Sequence, residues 1–221
     1  IMEGICRSTI RFGLLGAAFL VVTALPAFAA EKYPTRPIRV IVPFPPGGST
    51  DFNARAIQDK LSEQLGQQIV VDNRGGASGQ IGTRLVKDST PDGYTLLLHT
   101  IAFVTSPFLY DNTGYDPVKD FMPVTMISQV PTTVSVHPSV PVNSVKELLA
   151  LARSRPDEIT FGSGGNGTST HLSGELLSQR ANVKMVHIPY KGAAPAGIAL
   201  ISGEVTWLFG NALPSLPHIR S

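Results

Sequence analysis

The chain has 221 residues with 18 Lys and Arg against 16 Asp and Glu, giving a formal net charge of +2. Charged residues make up only 15% of the chain, and no basic run occurs, which argues against a nucleic-acid partner, a coiled coil and a disordered tail. The single cysteine, Cys6, excludes an intramolecular disulfide and a thiolate metal site.

Residues 1–30 have the organisation of a secretory signal peptide. Arg7 and Arg11 precede an apolar run at 12–25, and Ala27-Phe28-Ala29 gives the small-residue cleavage pattern. A transmembrane anchor is the alternative, but the apolar run is shorter than the roughly 20 residues that a span needs. We therefore expect an exported protein whose signal is removed.

Strand and helix patterns alternate along the remaining chain, which predicts parallel-rich α/β sheets joined by right-handed crossovers. Apolar runs predict strands at 38–42, 68–71, 94–99, 133–136, 159–161, 185–188 and 205–209. Apolar spacing and caps predict helices at 50–65, around Ile81 and Leu85, and from Ser144, Thr168 and Ala194. Prolines and a glycine interrupt any period at 105–123, which we interpret as a crossover between lobes.

Two glycine-rich turns each end a strand and open a helix. In the first, at 40–51, Gly47 and Gly48 allow the backbone to approach a ligand closely, and Asp51 falls in the first helical turn. Ser49 or Thr50 is the predicted helix cap. The second turn, at 159–169, repeats this pattern. Unpaired amides at helix starts bind anions, so the two turns predict two lobes closing on one small acidic molecule.

Two enzyme hypotheses use the same turns. Gly162, Gly164 and Gly167 form a G-x-G-x-x-G after a strand, as in dinucleotide sites, but no acid follows near 187–190. A hydrolase using Ser49 or Ser169 lacks a nucleophile-elbow sequence. We predict no catalytic residues and no cofactor.

Metal binding is not predicted either. His171 and Glu175 are spaced for contact on one helix, and a pair of this kind is usually a surface contact. Lys191 and Arg74 each have two open interpretations, a cleft charge or a solvated side chain.

Four segments, at 43–51, 72–79, 162–172 and 188–196, resemble in order the signatures of the Bug (TctC-like) family, the periplasmic substrate-binding proteins of tripartite tricarboxylate transporters. The resemblance implies a two-lobed type II periplasmic-binding-protein fold and a receptor that captures a small carboxylate by hinge closure and delivers it to transporter subunits in the membrane. It implies lobe 1 at 31–105, a crossover at 106–123 and lobe 2 at 124–221. The ligand-lining residues that it implies are Phe44, Pro46, Gly47, Gly48, Ser49, Thr50, Asp51, Ala77, Ser78, Gly79, Ser163, Gly164, Gly167, Thr168, Ser169, His171 and Tyr190.

The chain departs from the family pattern in three places. Gly210-Asn211 stands where Asp-Asn is expected, and Ala199 occupies a position where an acid is common. Family members also continue for roughly half as much again beyond Ser221, so we expect an incomplete first lobe with an open strand edge. A fragment of a longer reading frame and a non-functional truncated remnant both remain open.

Overall fold

The computed structural model describes residues 32–211, and all the elements below belong to one unit that begins at Arg36. The predicted signal peptide and residues 212–221 lie outside the described residues. Within residues 32–211, no helix combines the length and the apolar character that crossing a membrane requires.

The first sheet has three parallel strands in the order β2-β1-β3, as the continuous apolar runs predict. The strands are β1 (Ile38–Val42), β2 (Ile69–Asn73) and β3 (Thr95–Leu97). Helix α1 (Ser49–Leu65) joins β1 to β2, and α2 (Gln80–Lys87) joins β2 to β3. Gly66 ends α1 in a left-handed conformation at φ 65°, which confirms the predicted helix end.

The segment after β3 contains little regular structure. A short helix α3 (Ala102–Thr105) and a 3₁₀ turn (Ser106–Phe108) are followed by no helix or strand between 109 and 131. Aromatic packing holds this segment, since the Phe103 ring stacks on Tyr115 at 5.5 Å and meets Phe121 edge-on at 5.0 Å.

The second sheet has four strands in the order β4-β7-β5-β6. Its strands are β4 (Thr132–Val136), β5 (Thr160–Ser163), β6 (Val186–Pro189) and β7 (Trp207–Asn211), and only the β4–β7 pair is antiparallel. Its helices are α4 (Val145–Ser154), α5 (Ser169–Ala181) and α6 (Ala193–Ile201). The Ser144 hydroxyl accepts a hydrogen bond from the Glu147 N–H, so the predicted cap of α4 is confirmed.

A row of rings crosses the second sheet at one register. Phe161 pairs with His187 on one side and with Trp207 on the other, and its ring lies 5.0 Å and 5.4 Å from theirs. Phe161 and Trp207 are fully buried with Leu148 of α4. Helix α5 packs over this row at Gly174, where a Cβ atom would overlap the Phe161 ring.

The contact at Gly174 gives a prediction for stability. Gly174→Ala should destabilise the protein by about 1–2 kcal/mol, because overpacking costs about 1–3 kcal/mol and outweighs the gain of helix propensity. Gly197→Ala in α6 is the matched control, since a Cβ there meets nothing within 4 Å, and it should stabilise by about 0.5–1 kcal/mol. Chemical denaturation followed by Trp207 fluorescence measures both. Equal effects of the two substitutions would contradict the packing argument.

Candidate functional site

Three helix N-termini meet at one small cavity of about 40 Å³. Its wall combines the start of α1 from the first sheet with the starts of α5 and α6 from the second. The lining residues are Phe44, Gly48, Ser49, Thr50, Thr100, Gly164, Thr168, Ser169, Thr170, Gly192 and Ala193. Each helix start carries about half a positive charge and amides without acceptors in their own helix. The cavity is therefore electropositive although no cationic side chain lines it.

The turn before α1 is held by a buried carboxylate. Asp51 accepts hydrogen bonds from the Gly47 N–H at 3.0 Å, from Arg55 Nε at 3.0 Å and from Asn73 Nδ2 at 3.0 Å. Burial opposes ionisation of Asp51, but these three donors outweigh it and place its pKa below the usual value. Arg55 thus neutralises an acid that would otherwise repel an anion at this helix start.

The cap of α1 differs from the prediction. Gly48, and neither Ser49 nor Thr50, is the N-cap residue, and Ser49 is already the first helical residue. The cap of α5 is Thr168, whose hydroxyl accepts from the His171 N–H, so the predicted start of this helix at Thr168 is confirmed. Ser49 and Ser169, the first helical residues of α1 and α5, lie on the cavity wall.

The turn before α5 uses several of its own amides internally. The N–H groups of Gly164, Gly165 and Gly167 donate to Thr170 Oγ1, Ser163 Oγ and His171 Nδ1, at 3.0, 3.1 and 3.1 Å. The expectation that this whole turn offers its amides to an anion is wrong for these three. In the first turn of α5 the His171 N–H donates to the Thr168 hydroxyl, so the amides left for a ligand there are those of Ser169 and Thr170.

A larger cavity of about 170 Å³ shares Phe44 and Gly164 with the small one. One wall is the turn Ala77–Gly79, in which Ala77 and Ser78 have φ of 46° and 54°. Left-handed conformations cost non-glycine residues about 1–2 kcal/mol each and concentrate at ligand-binding turns. Tyr190 and Lys191 lie in the opposite wall. Burial, reinforced by the Glu204 carboxylate, raises the pKa of Tyr190 to about 12, so the phenol stays neutral.

The structure gathers most of the predicted ligand-lining residues around these two cavities. Phe44, Gly48, Ser49, Thr50, Gly164, Thr168 and Ser169 line the small cavity, and Ala77, Ser78, Gly79 and Tyr190 line the large one. The remaining predicted residues, Pro46, Gly47, Asp51, Ser163, Gly167 and His171, line neither cavity. Gly47, Asp51, Ser163, Gly167 and His171 instead make the hydrogen bonds that shape the two turns.

The prediction missed residues of two kinds. Gly192 and Ala193 start a helix directly after a strand and a glycine, so the pattern used for the other two turns identifies them as well. His187 carries no local signal, because its partners come from other elements. Its Nε2 lies 2.6 Å from Ser163 Oγ, and its ring stacks on His171 at 4.1 Å.

The side chains of His171, Glu175 and His187 bring potential metal ligands within 4.8 Å of one another. Two features make the cluster unsuited to a metal as it stands. The Gly167 N–H donates to Nδ1 of His171, so in the neutral ring Nε2 carries the proton and has no lone pair to offer. The two imidazoles are also stacked at an interplanar angle of 27°, whereas their lone pairs must converge on a shared ion. We interpret the cluster as a packing element beneath the turn.

Comparison with known proteins identifies the family. The model of the tripartite tricarboxylate transporter family receptor (TctC) matches residues 53–221. The chain belongs to this family. BugT from Bordetella pertussis is 40% identical over 195 residues, which is 87% of this chain and 60% of BugT. The resemblance inferred from the four sequence segments is thus confirmed.

Solved structures of TctC and Bug relatives share the fold. Rpa4515 of R. palustris, solved with adipate, is 41% identical with a TM-score of 0.82, and the match covers 85% of this chain and 63% of that protein. MatC from Rhodopseudomonas palustris, solved with bound malate, is 30% identical with a TM-score of 0.76 over 85% and 64%. The chain spans about three fifths of the length of the curated TctC-family relatives that it matches.

Two partly buried histidines of this TctC-family chain, His187 and His99, predict a pH dependence. Burial, with His171 beside it, lowers the pKa of His187 from 6.5 to about 4. Between about pH 6.5 and about pH 4, the His187 imidazole is therefore protonated in the unfolded chain and neutral in the folded chain. The free energy of unfolding should fall as the pH is lowered through this window. Burial also lowers the pKa of His99 to about 4, and this adds to the loss of stability.

His187→Gln should make that decline shallower without abolishing it. Urea denaturation at pH 7 and at pH 5 measures the difference for both proteins. Identical losses of stability in the wild type and the variant would show that His187 does not contribute.

Proposed function

We propose that the chain is a periplasmic receptor that captures a small carboxylate in the cleft between its two lobes and delivers it to the membrane subunits of a tripartite tricarboxylate transporter. The observation that carries the proposal is the meeting of three helix N-termini at the small cavity. A carboxylate suits this arrangement because it offers several acceptor oxygens to amides that have no acceptor in their helices. The relatives solved with adipate and with malate support a carboxylate ligand.

Hinge closure is the proposed mechanism, with lobe 1 at 31–105, a crossover at 106–123 and lobe 2 at 124–221. The start of α1 belongs to one lobe, and the starts of α5 and α6 belong to the other. An anion on one lobe therefore gains the donors of the second lobe only on closure, and this differential affinity shifts the equilibrium toward the closed form. Contacts across the cleft are close, as a Cβ at Gly192 would lie 3.1 Å from Pro45.

A hydrolase is the competing proposal, and one contact favours it. Ser163 Oγ and His187 Nε2 are within hydrogen-bonding distance, as a nucleophile and its base require. However, Ser163 is only 1% exposed and lines neither cavity. A pKa of about 4 also makes His187 a weak base at neutral pH. We therefore propose a binding protein without catalytic residues or cofactor, and ester turnover that Ser163→Ala abolishes would reverse this conclusion.

Ligand binding is measurable by thermal unfolding of the purified protein, with the fully buried Trp207 as the reporter. A panel of small mono-, di- and tricarboxylates is added one at a time. The acid that binds should stabilise the protein by about 2.7 kcal/mol at 100 times its Kd. A broad transition that no acid shifts would support the truncated-remnant hypothesis instead.

Ser169→Asp tests where the carboxylate binds. An acid at the first residue of α5 favours the helix through its dipole, but it places a negative charge on the cavity wall. Affinity for the acid should fall by about 10- to 100-fold, since like charges a few ångströms apart repel strongly in a partly water-excluded site. Val145→Asp, at the first residue of α4, is the matched control and should leave affinity unchanged. Retained affinity in Ser169→Asp would remove the small cavity as the site.

A further inference from the structure

Lys191 is the one charged residue among those described that line the large cavity. It lies two residues after the end of β6 and directly precedes Gly192, the residue that caps α6. Its ammonium group is carried on a flexible four-carbon side chain. The cavity is otherwise lined by glycines and by neutral polar and apolar residues. Any anionic group that enters it therefore has one cation to meet.

Three arginines around the first sheet have carboxylate partners. Arg55 pairs with Asp51, and both Arg39 and Arg74 pair with Asp72. For Lys191, in contrast, no ion pair or side-chain hydrogen bond occurs with any residue in the range 32–211. Lys191 is thus a cation without a carboxylate partner at the wall of the large cavity.

The two cavities adjoin, because Phe44 and Gly164 line both. The helix starts surround the small cavity, and Lys191 lines the large one. Phe44 is 7% exposed and packs edge-on against His99 at 5.4 Å, so the apolar side chain shared by the two cavities is held in place. A ligand that matches this surface has an anionic group at each end and an aliphatic chain between them.

Accepting the proposed function, we propose that Lys191 is a specificity-determining residue that binds the second carboxylate of an aliphatic dicarboxylate and so selects diacids over monoacids. The first carboxylate lies at the three helix starts, and the methylene chain passes Phe44. The ammonium donates charge-assisted hydrogen bonds to the distal carboxylate, which are stronger than neutral ones and strengthen further as closure excludes water. A monoacid has no distal carboxylate, so it leaves the ammonium without a partner and gains no affinity from these hydrogen bonds.

The test compares acids that differ only in the distal group. Succinate and butyrate, glutarate and pentanoate, and adipate and hexanoate form three such pairs, and calorimetry or thermal shift gives Kd values for each. The wild type should bind at least one diacid about 10-fold or more tightly than its monoacid partner. Lys191→Met, which keeps the length of the side chain and removes its charge, should weaken that diacid to the level of the monoacid and leave the monoacid unchanged. Lys191→Arg should restore most of the preference.

Lys184→Met is the matched control, because Lys184 is an exposed lysine of the same sheet region that lines neither cavity. It should alter neither affinity. Equal weakening of diacid and monoacid by Lys191→Met, or no weakening of either, would overturn the assignment of Lys191 while the receptor function stands. If the wild type bound none of the six acids, the receptor function would fail for this class of ligand and the role of Lys191 with it.

Discussion

The direction of the parallel strands is the constraint on which the cleft depends. Because parallel strands end at the same edge of a sheet, every helix that follows such a strand begins at that edge with its positive end. Helices α1, α5 and α6 all follow this rule, and their starts share one cavity wall. The geometry therefore concentrates positive potential without any cationic side chain in the small cavity. The acid that α1 places in its first turn does not cancel that potential, since Asp51 is bound by Arg55.

The core of the second sheet sets the position of one of these helix starts. The rings of Trp207, Phe161 and His187 lie side by side across three strands, and α5 rests on them because Gly174 has no side chain. His187 extends the row to the turn itself through Ser163, whose hydroxyl accepts from the Gly165 N–H. Packing and site geometry are therefore linked by a short chain of contacts, so a disturbance of the sheet reaches the cleft.

The strands and helices were predictable because their signals are local, while much of the cleft depends on contacts between distant residues. Apolar runs located the seven strands of residues 32–211 to within a few residues, and Gly66 and Ser144 marked helix ends correctly. The cap at Gly48 was missed because Ser49 and Thr50 follow it directly, and all three residue types are preferred at N-caps, so the sequence does not rank them. The hydrogen bonds from the Gly164 and Gly167 amides to Thr170 and His171 were missed because these two side chains reach the turn only when the first turn of α5 is helical. His187 could not have been found without the strand register that places it beside Phe161.

The energetics of such a cleft favour a ligand with more than one anionic group. Moving a two-state equilibrium from 1:99 to 99:1 requires a ligand to bind the closed state about 5.5 kcal/mol more tightly than the open one. A helix terminus contributes roughly 0.3–1 kcal/mol, and up to about 2 kcal/mol where it is partly buried. In the proposed hinge closure, only the termini that the second lobe supplies count toward the difference, so two helix starts fall short of complete closure. Burial of an aliphatic chain against Phe44 and a charged contact across the larger cavity act in the same closed state and would supply the remainder. The proposed receptor, which would release its ligand to a transporter, would benefit from this division, since no single contact then holds the ligand once the proposed lobes part.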